Sequence, residues 1–326
     1  MLDFFDTPLA SLDPAVASLV EFEAERQARK LILIPSESQA PTAVREALGS
    51  VFQNIYAEGY PDPDIHGAAQ AAILDYEARM AHYRRYSDLR YYKGVEYVNI
   101  LESLARRRAA EAFATDLVPP EEIWANVQPL SGSPANSAIY AALVPPGSTV
   151  MGMDLLHGGH LTHGSPANRS GKLYNIVSYG IDPKTERIDY DAVEELAQRN
   201  KPRMIIAGYT SYPWTPDWHR FRQIADSVGA YLLADISHIA GMVAAGTVSS
   251  PVGHAHVISF TTHKTLYGPR GACILTLDKQ LARRVDSAVF PGEQGGPHCN
   301  AIAGMAVAFE LATSPEFAQL HHQVVE

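Results

Sequence analysis

The pattern of apolar and polar positions divides the chain into a helical first part and a later part in which strands alternate with helices. Helical spacing of apolar residues predicts helices over 12–30, 43–53, 66–86 and 100–115. Short uninterrupted apolar runs predict strands over 148–153, 173–179, 203–209, 230–236, 255–262 and 271–277. Further helices are predicted near 135–143, 190–199 and 217–228. This alternation predicts an α/β fold with a mainly parallel sheet flanked by helices on both faces.

Composition narrows the classes of function. The chain has 326 residues, of which 46% are hydrophobic and 19% charged, as in soluble globular proteins. The net charge of −10 disfavours nucleic acid or an anionic membrane as the main partner, so an anionic ligand needs a local site. The chain has only two cysteines, and its sequence shows no secretory pattern at the start and no apolar stretch long enough to span a membrane. These features favour a location in the reducing cytoplasm.

A lysine follows a buried strand in the run Val257–Lys264. Lysine is seldom buried without a reason, and the simplest explanation is a side chain that reaches solvent from the strand end. The alternative is covalent chemistry, because a desolvated lysine has a lowered pKa and can bond to a carbonyl or to pyridoxal phosphate. The strand alone leaves both explanations open.

Two further features favour the second explanation. Asp235 ends the preceding strand, so it lies at the same sheet edge as Lys264 and could pair with a protonated pyridine nitrogen, although it could also cap a helix. Ser131, Gly132 and Ser133 precede a helical run, and free backbone N–H groups at a helix start suit a phosphate, although a capping serine looks the same. Together these features favour a pyridoxal phosphate site over a generic α/β domain.

Three histidines, His157, His160 and His163, follow one another at three-residue spacing. This spacing could place ligands on one face of a helix, but the glycines between them indicate a loop. No carboxylate or cysteine nearby completes a recognised zinc pattern. The sequence therefore does not predict a metal site.

At the level of whole motifs the chain resembles the serine hydroxymethyltransferase family, which has the fold-type I large domain of pyridoxal phosphate enzymes. The matching segments are 54–61, 90–94, 125–136, 153–166, 171–175, 235–246, 261–271 and 286–297. They cover nearly the whole chain in the family's order. The resemblance implies interconversion of serine and glycine, with tetrahydrofolate accepting the hydroxymethyl carbon.

The resemblance also assigns roles around the cofactor. It implies that Lys264 binds the cofactor covalently, that Asp235 pairs with the pyridinium and that His160 stacks on the ring. His238 and Thr210 are expected near the phenolic oxygen. The remaining expected cofactor contacts are Ser131, Gly132, Ser133 and His263, joined by Tyr56 and Gly296 from a neighbouring subunit. Because such a site is shared, the resemblance implies at least a homodimer.

A second set of roles concerns the amino acid and the folate. Glu58 is expected to act as an acid or base near the substrate hydroxyl, with Tyr92 among the catalytic residues. The other residues expected to contact substrate or folate are Ser36, Tyr56, Tyr91, Leu155, Gly159, Leu161 and Arg270. Plainer explanations stay open for some of them, because the tyrosines could be ordinary interface aromatics, Glu58 a surface carboxylate and Arg270 an ion-pair partner.

The chain departs from the family pattern in three places. Residues 62–89 intervene where the family runs almost directly from Glu-Gly-Tyr-Pro to Arg-Tyr-Tyr, and Ile34–Ser38 reads Ile-Pro-Ser-Glu-Ser instead of Ile-Ala-Ser-Glu-Asn. The family's small C-terminal domain, with an arginine that holds the substrate carboxylate, has no counterpart before residue 326. We therefore expect a helical N-terminal arm over 1–60, a helical insertion over 62–89 and a pyridoxal phosphate-binding large domain over 90–326.

Three functions follow from these expectations. The first is a serine hydroxymethyltransferase whose remaining domain is absent from this chain or supplied by a second polypeptide. The second is a folate-independent aldolase of the threonine type, acting on β-hydroxy amino acids. The third is a pyridoxal phosphate-binding fragment or subunit that is inactive without a partner chain.

Overall fold

A computed structural model describes residues 5–326, which divide after Ser38 into two compact units. The first unit contains the helices α1 (Leu9–Leu12) and α2 (Pro14–Arg29). Asp13 begins α2, because its carboxylate accepts a hydrogen bond from the backbone N–H of Val16 at 3.1 Å. The expected helical arm over 1–60 stays a prediction, and its first four residues lie outside the described part.

The second unit contains the sheet and the remaining helices. Its strands are β1 (Trp124–Asn126), β2 (Thr149–Met153), β3 (Asn175–Tyr179), β4 (Met204–Gly208), β5 (Tyr231–Asp235), β6 (Val257–Thr261) and β7 (Ala272–Thr276). Its helices are α3 (Thr42–Leu48), α4 (Gln70–Ile73), α5 (Tyr76–Tyr86), α6 (Glu96–Phe113), α7 (Gly132–Leu143), α8 (Arg169–Leu173), α9 (Tyr190–Asn200), α10 (Trp218–Val228), α11 (Ala240–Ala244), α12 (Lys279–Ser287), α13 (Cys299–Ala312) and α14 (Pro315–Val325).

The seven strands form one sheet in the order β1-β7-β6-β5-β4-β2-β3. Strands β2 to β6 pair in parallel, whereas β7 is antiparallel to both β6 and β1. The mainly parallel α/β sheet expected from the sequence is therefore confirmed. Asp235 at the end of β5 lies opposite Ser259 of β6, so the ends of these two strands share one edge of the sheet.

Apolar packing on both faces explains the uninterrupted apolar strands. In β4, Ile205 packs into one hydrophobic cluster, while Met204 and Ile206 pack into the cluster on the other face. Phe260 of β6 contacts Phe113 of α6 at 4.5 Å between ring centroids. Since successive side chains point to opposite faces, a strand covered on both sides needs no polar alternation.

The predicted strands agree with six of the observed strands to within two residues at each end. The elements that were not predicted are β1, α8, α11 and α12–α14. The predicted helix over 66–86 is wrong at its start and in its middle: α4 begins at Gln70, and the chain breaks before α5. Asp75 caps α5 by accepting from the N–H of Ala78 at 3.0 Å. No helix within residues 5–326 is long and apolar enough to cross a membrane.

Candidate active site

A buried carboxylate forms the centre of the site at the carboxyl end of β5. Asp235 is 7% exposed and accepts hydrogen bonds from Asn136 Nδ2 at 2.9 Å and from Ser237 Oγ at 2.6 Å. His163 Nε2 lies 3.0 Å from the same carboxylate. These partners come from α7, from the turn after β5 and from the loop after β2, so the fold brings distant segments to one acid.

The surroundings of Asp235 keep it ionised. Burial alone would raise the pKa of this carboxyl, but the hydrogen bond and charge of His163, together with the bonds from Ser237 and Asn136, hold the pKa well below its usual range. A negative charge is therefore fixed at the edge of the sheet.

Lys264 lies beyond the end of β6, partly buried, with its Nζ 3.0 Å from His238 Nε2. Burial lowers the pKa of Lys264, the nearby Asp235 opposes that change, and Arg270 adds to it. Burial and the charge of Lys264 lower the pKa of His238 to about 4. Near neutral pH the imidazole is therefore uncharged, and its Nε2 can accept a hydrogen bond from the lysine amine.

The start of α7 faces β6. Ser131 precedes the helix without making a side-chain capping bond, so N–H groups of the first turn are free to bind an anion. A Cβ at Gly132 would lie 2.7 Å from Thr261 Cγ2, so only glycine fits there without a shift. Within residues 5–326 the buried hydroxyl of Thr261 has no hydrogen-bond partner. Ser133, on the first turn, is exposed.

His160 stands within the predicted folate segment, between Gly159 and Leu161. Its Nδ1 lies 2.7 Å from Thr162 Oγ1, and burial lowers its pKa, which favours the neutral ring. Donor atoms of His160, His163 and Asp235 all lie within 4.8 Å of one another. His157 does not belong to this group, so the histidines that meet are not the set that the sequence spacing suggested.

The predicted folate segment is held by Thr210. The hydroxyl of Thr210 donates to the carbonyls of Gly158 and Gly159 at 3.1 and 2.9 Å. Leu155 and Leu161 each begin a 3₁₀ turn and are half exposed, so both present apolar surface beside this loop. The loop indicated by the glycines is confirmed here.

Arg270 and His263 form a pair next to Lys264. Arg270 is exposed, and its Nη1 lies 3.3 Å from His263 Nε2. Burial, with the charges of Arg270 and Lys264, lowers the pKa of His263 to about 4. In the described chain the buried Nδ1 of His263 has no hydrogen-bond partner.

The second group of predicted residues gathers around Glu58. Glu58 packs against Gly295 and Gly296, because Cβ atoms built there would lie 3.8 Å from its Oε1 and 3.3 Å from its Cγ. Tyr91 lines the same open cavity of about 540 Å³ as Glu58 and Gly295. Tyr56 is exposed and meets Tyr92 edge to face at 6.1 Å between ring centroids. Lys264 and Asp235 do not line this cavity.

Arg90 fixes the backbone on both sides of Glu58, a role that the sequence analysis missed. Its Nη1 donates to the carbonyls of Ala57 and Gly59 at 2.7 and 2.9 Å, and its Nη2 binds Glu102 at 2.7 Å. Gly59 has φ +104°, and a Cβ there would lie 3.2 Å from Arg90 Cα, so the turn requires glycine. Arg90 is 1% exposed, which makes this a buried clamp.

The residues that support Asp235 were not predicted as site residues either. Asn136 and Ser237 were noted only as parts of longer motifs, and His163 was considered as a metal ligand. Their positions give a signal in retrospect, because each lies within a few residues of a predicted site residue. Ser36 lies in the first unit, so its expected role at the substrate stays a prediction.

The model of one protein family, serine hydroxymethyltransferase, matches residues 9–85 and 78–326. The chain belongs to the serine hydroxymethyltransferase family. The two matched segments overlap at 78–85, inside the stretch 62–89. That this stretch is an insertion stays a prediction. Members of this family depend on pyridoxal phosphate, use tetrahydrofolate and are typically oligomeric.

The residues present fit pyridoxal phosphate. The ionised Asp235 suits a protonated pyridine nitrogen, and the open start of α7 at Gly132 suits a phosphate. The unpartnered hydroxyl of Thr261 offers one more group for hydrogen bonding beside that helix start. Lys264, with its lowered pKa, suits a covalent bond to an aldehyde.

Proposed function

We propose that this chain catalyses the pyridoxal phosphate-dependent interconversion of serine and glycine, with tetrahydrofolate as the one-carbon acceptor. The proposal rests on one observation: an ionised buried aspartate, an amine with a lowered pKa and an uncapped helix start meet at one edge of the sheet. Family membership supports the same chemistry.

Within this proposal the cofactor, when bound, supplies the electron sink for bonds at the substrate Cα. Asp235 would hold a positive charge at the ring nitrogen, and Gly132 and Ser133 would hold the phosphate at the start of α7. Lys264 would bind the cofactor carbonyl carbon, with the neutral His238 accepting a hydrogen bond from its amine. His160 would cover the ring as a neutral imidazole.

Glu58 would hold or move a proton at the substrate hydroxyl. We propose that Glu58, Tyr56 and Gly296 serve the site of a neighbouring subunit. Glu58 packs against Gly296, and the cavity that Glu58 lines is not lined by Lys264 of the same chain. Their exposed aromatic neighbours Tyr91 and Tyr92 are suited to such an interface. A homodimer would then carry two composite sites.

The lysine assignment is tested by loading the protein with pyridoxal phosphate, reducing it with borohydride and locating the pyridoxyl group by mass spectrometry. We expect the label on Lys264 and its loss in Lys264→Ala, together with loss of the absorption band of the bound cofactor. The matched control is Lys184→Ala, an exposed lysine that should leave the label in place. A label that persists in Lys264→Ala would overturn the assignment.

The reaction is tested by supplying serine with and without tetrahydrofolate, and threonine without it. Cleavage of serine that depends on folate supports the proposal. Cleavage of threonine with no folate-dependent turnover of serine would replace it with the aldolase alternative. Cofactor binding without turnover of either amino acid would favour a chain that requires a partner.

The shared site is tested by mixing two inactive variants, Lys264→Ala and Glu58→Gln. If Glu58 serves the neighbouring subunit, a mixed dimer holds one site with both residues intact, and activity should return on mixing. Activity that stays absent, although mixed dimers form, would place both residues in the same subunit's site.

A further inference from the structure

A cavity of about 520 Å³ lies between the segment 62–89 and the large-domain elements α6, β1 and α12. Its volume falls in the range that suits small-molecule ligands. Neither Lys264 nor Asp235 lines it. We propose that this cavity binds a small organic anion with an apolar, planar body, as a site separate from the one that handles the amino acid.

The walls of the cavity suit an apolar body. Ile65 and Ile73 from the segment 62–89 and Ile123 before β1 are buried and line it. The ring of His66 stacks on Trp124 with 3.4 Å between centroids and 13° between planes. Stacked aromatic and branched aliphatic walls favour a flat apolar ligand.

The acids that line the cavity already have partners. Asp286 accepts a hydrogen bond from Asn126 at 2.7 Å and lies 3.8 Å from Arg106. Asp62 lies 3.4 Å from His82. These acids are therefore not available to neutralise the remaining cations of the cavity.

Two of those cations lack a counter-ion. Lys279 and Arg283 stand four residues apart on α12, on the same face of the helix, where like charges repel. No carboxylate of the described chain lies within ion-pair distance of either side chain. The Lys279 ammonium lies 5.6 Å from the centre of the Trp124 ring, so its charge stands next to the stacked pair. An anionic group bound here could pair with both side chains and reduce the repulsion between them.

A buried hydroxyl adds a specific donor. Ser103 of α6 lines the cavity and is 4% exposed, yet its Oγ finds no hydrogen-bond partner within residues 5–326. A buried hydroxyl without a partner costs free energy, which a ligand acceptor would recover. The ligand class follows from three features together: the cations Lys279 and Arg283, the apolar wall and the Ser103 donor. They suit a small organic anion with an apolar, planar body.

The cavity also borders the Glu58 cavity. Tyr91 and Phe290 line both, with 5.5 Å between their ring centroids. A ligand bound among the residues of 62–89 would therefore touch the wall of the space that Glu58 lines. The binding proposal itself does not depend on which amino acid the enzyme converts.

Binding is tested by calorimetric titration of the protein loaded with pyridoxal phosphate, using 1-anilinonaphthalene-8-sulfonate and its uncharged analogue N-phenyl-1-naphthylamine. We expect one saturable site for the sulfonate and at least about tenfold weaker binding in Lys279→Gln/Arg283→Gln. The matched control, Lys184→Gln/Arg199→Gln, removes two exposed cations elsewhere and should not change the affinity. Both double variants alter exposed side chains and should fold.

Equal weakening in both double variants, or equal affinity for the uncharged analogue, would overturn the proposal. The location of the bound ligand is checked separately: bound sulfonate should quench the fluorescence of Trp124, and Trp124→Phe should lose that signal.

Competition then distinguishes two kinds of anion. Displacement of the sulfonate by 1-naphthoate indicates a carboxylate ligand, and displacement by adenosine monophosphate indicates a phosphate ligand. Displacement by neither would contradict an organic-anion site.

Discussion

Two of the buried carboxylates in this fold, Glu102 and Asp235, differ in what surrounds them. Glu102 is 0% exposed and pairs with Arg90 at 2.7 Å and Arg106 at 2.8 Å. Asp235 is held by Asn136, Ser237 and His163, none of which is an arginine or a lysine.

The pKa of each carboxyl is lowered against the effect of burial, but by different means. For Glu102, burial would raise the pKa and the charges of Arg90 and Arg106 lower it. For Asp235, the pKa is lowered by the hydrogen bonds that it accepts and by the charge of His163. A charge neutralised by two arginines serves the fold, whereas a charge held by hydrogen bonds can still attract a cationic ligand.

The largest expected effect is on the Glu102 network. Arg90→Met should lower the free energy of unfolding by about 3–5 kcal/mol, because it leaves a buried carboxylate with one arginine fewer. The exposed pair of Arg169 with Glu293 gives the control, and Arg169→Met should cost less than about 1 kcal/mol. Urea unfolding measures both.

A double variant sharpens this test. Arg90→Met/Glu102→Leu removes both charges and should be more stable than Arg90→Met alone, since no uncompensated carboxylate remains. If the double variant is less stable than the single one, the carboxylate is not the source of the cost.

The next largest effect is expected on the affinity for pyridoxal phosphate when Asp235 loses its charge. Asp235→Asn keeps the shape but removes the charge, so cofactor affinity should fall by roughly tenfold to a hundredfold while the fold is retained. Spectroscopic titration with pyridoxal phosphate measures the affinity, and circular dichroism checks the fold. Asp189→Asn, a change at the cap of α9, serves as the control. Unchanged affinity in Asp235→Asn would remove the distinction between the two carboxylates.

A smaller effect is expected when a partner of Asp235 is changed. His163→Leu removes one hydrogen bond, which should raise the pKa of Asp235 and weaken cofactor binding about two- to tenfold. The loss should grow as the pH falls, because protonated Asp235 no longer attracts a cation. His163→Gln keeps a donor and should recover part of the affinity. If both variants bind alike at every pH, His163 does not support the charge.

The smallest effect is the pH dependence of stability from His238. Its pKa in the folded protein, about 4, lies below its ordinary value of 6.5, so the unfolded chain binds more protons between these values. Stability should therefore fall as the pH drops from 6.5 towards 4. One such group contributes at most about 1.4 kcal/mol per pH unit, and less here because the ring is partly exposed.

His238→Asn should flatten this part of the profile of unfolding free energy against pH. His219→Asn, a change at an exposed histidine, is the control. Identical slopes in the His238 variant and the unchanged protein would assign the pH dependence to other groups.

Much of the fold followed from local pattern. Strands such as β4 and β5 were predictable because both of their faces are buried, which requires uninterrupted apolar residues. β1 was missed because its three residues pair only with β7, and no local pattern identifies so short a strand. The break between α4 and α5 was missed because helix-forming residues obscured the cap at Asp75.

From the residues themselves, the site was predictable at strand ends and at one helix start. Asp235 and Lys264 were predicted because they follow strands, and Ser131, Gly132 and Ser133 because they precede a helical run. Asn136, which donates to Asp235, accepts from Ser259 Oγ at 2.8 Å and so links α7 to β6 across 123 residues of sequence. A contact between segments so far apart leaves no local signature.

The sequence by itself determined the α/β class, the strand-end acid and lysine, and the family, because these depend on residue order and apolar pattern. Tertiary structure alone decided which donors hold Asp235, that Arg90 clamps the turn at Glu58, and that a cavity with unpaired cations lies under residues 62–89. These features depend on contacts between side chains that come together only after folding. The cost of burying a polar group and the hydrogen bonds that offset it are therefore decided by the tertiary structure.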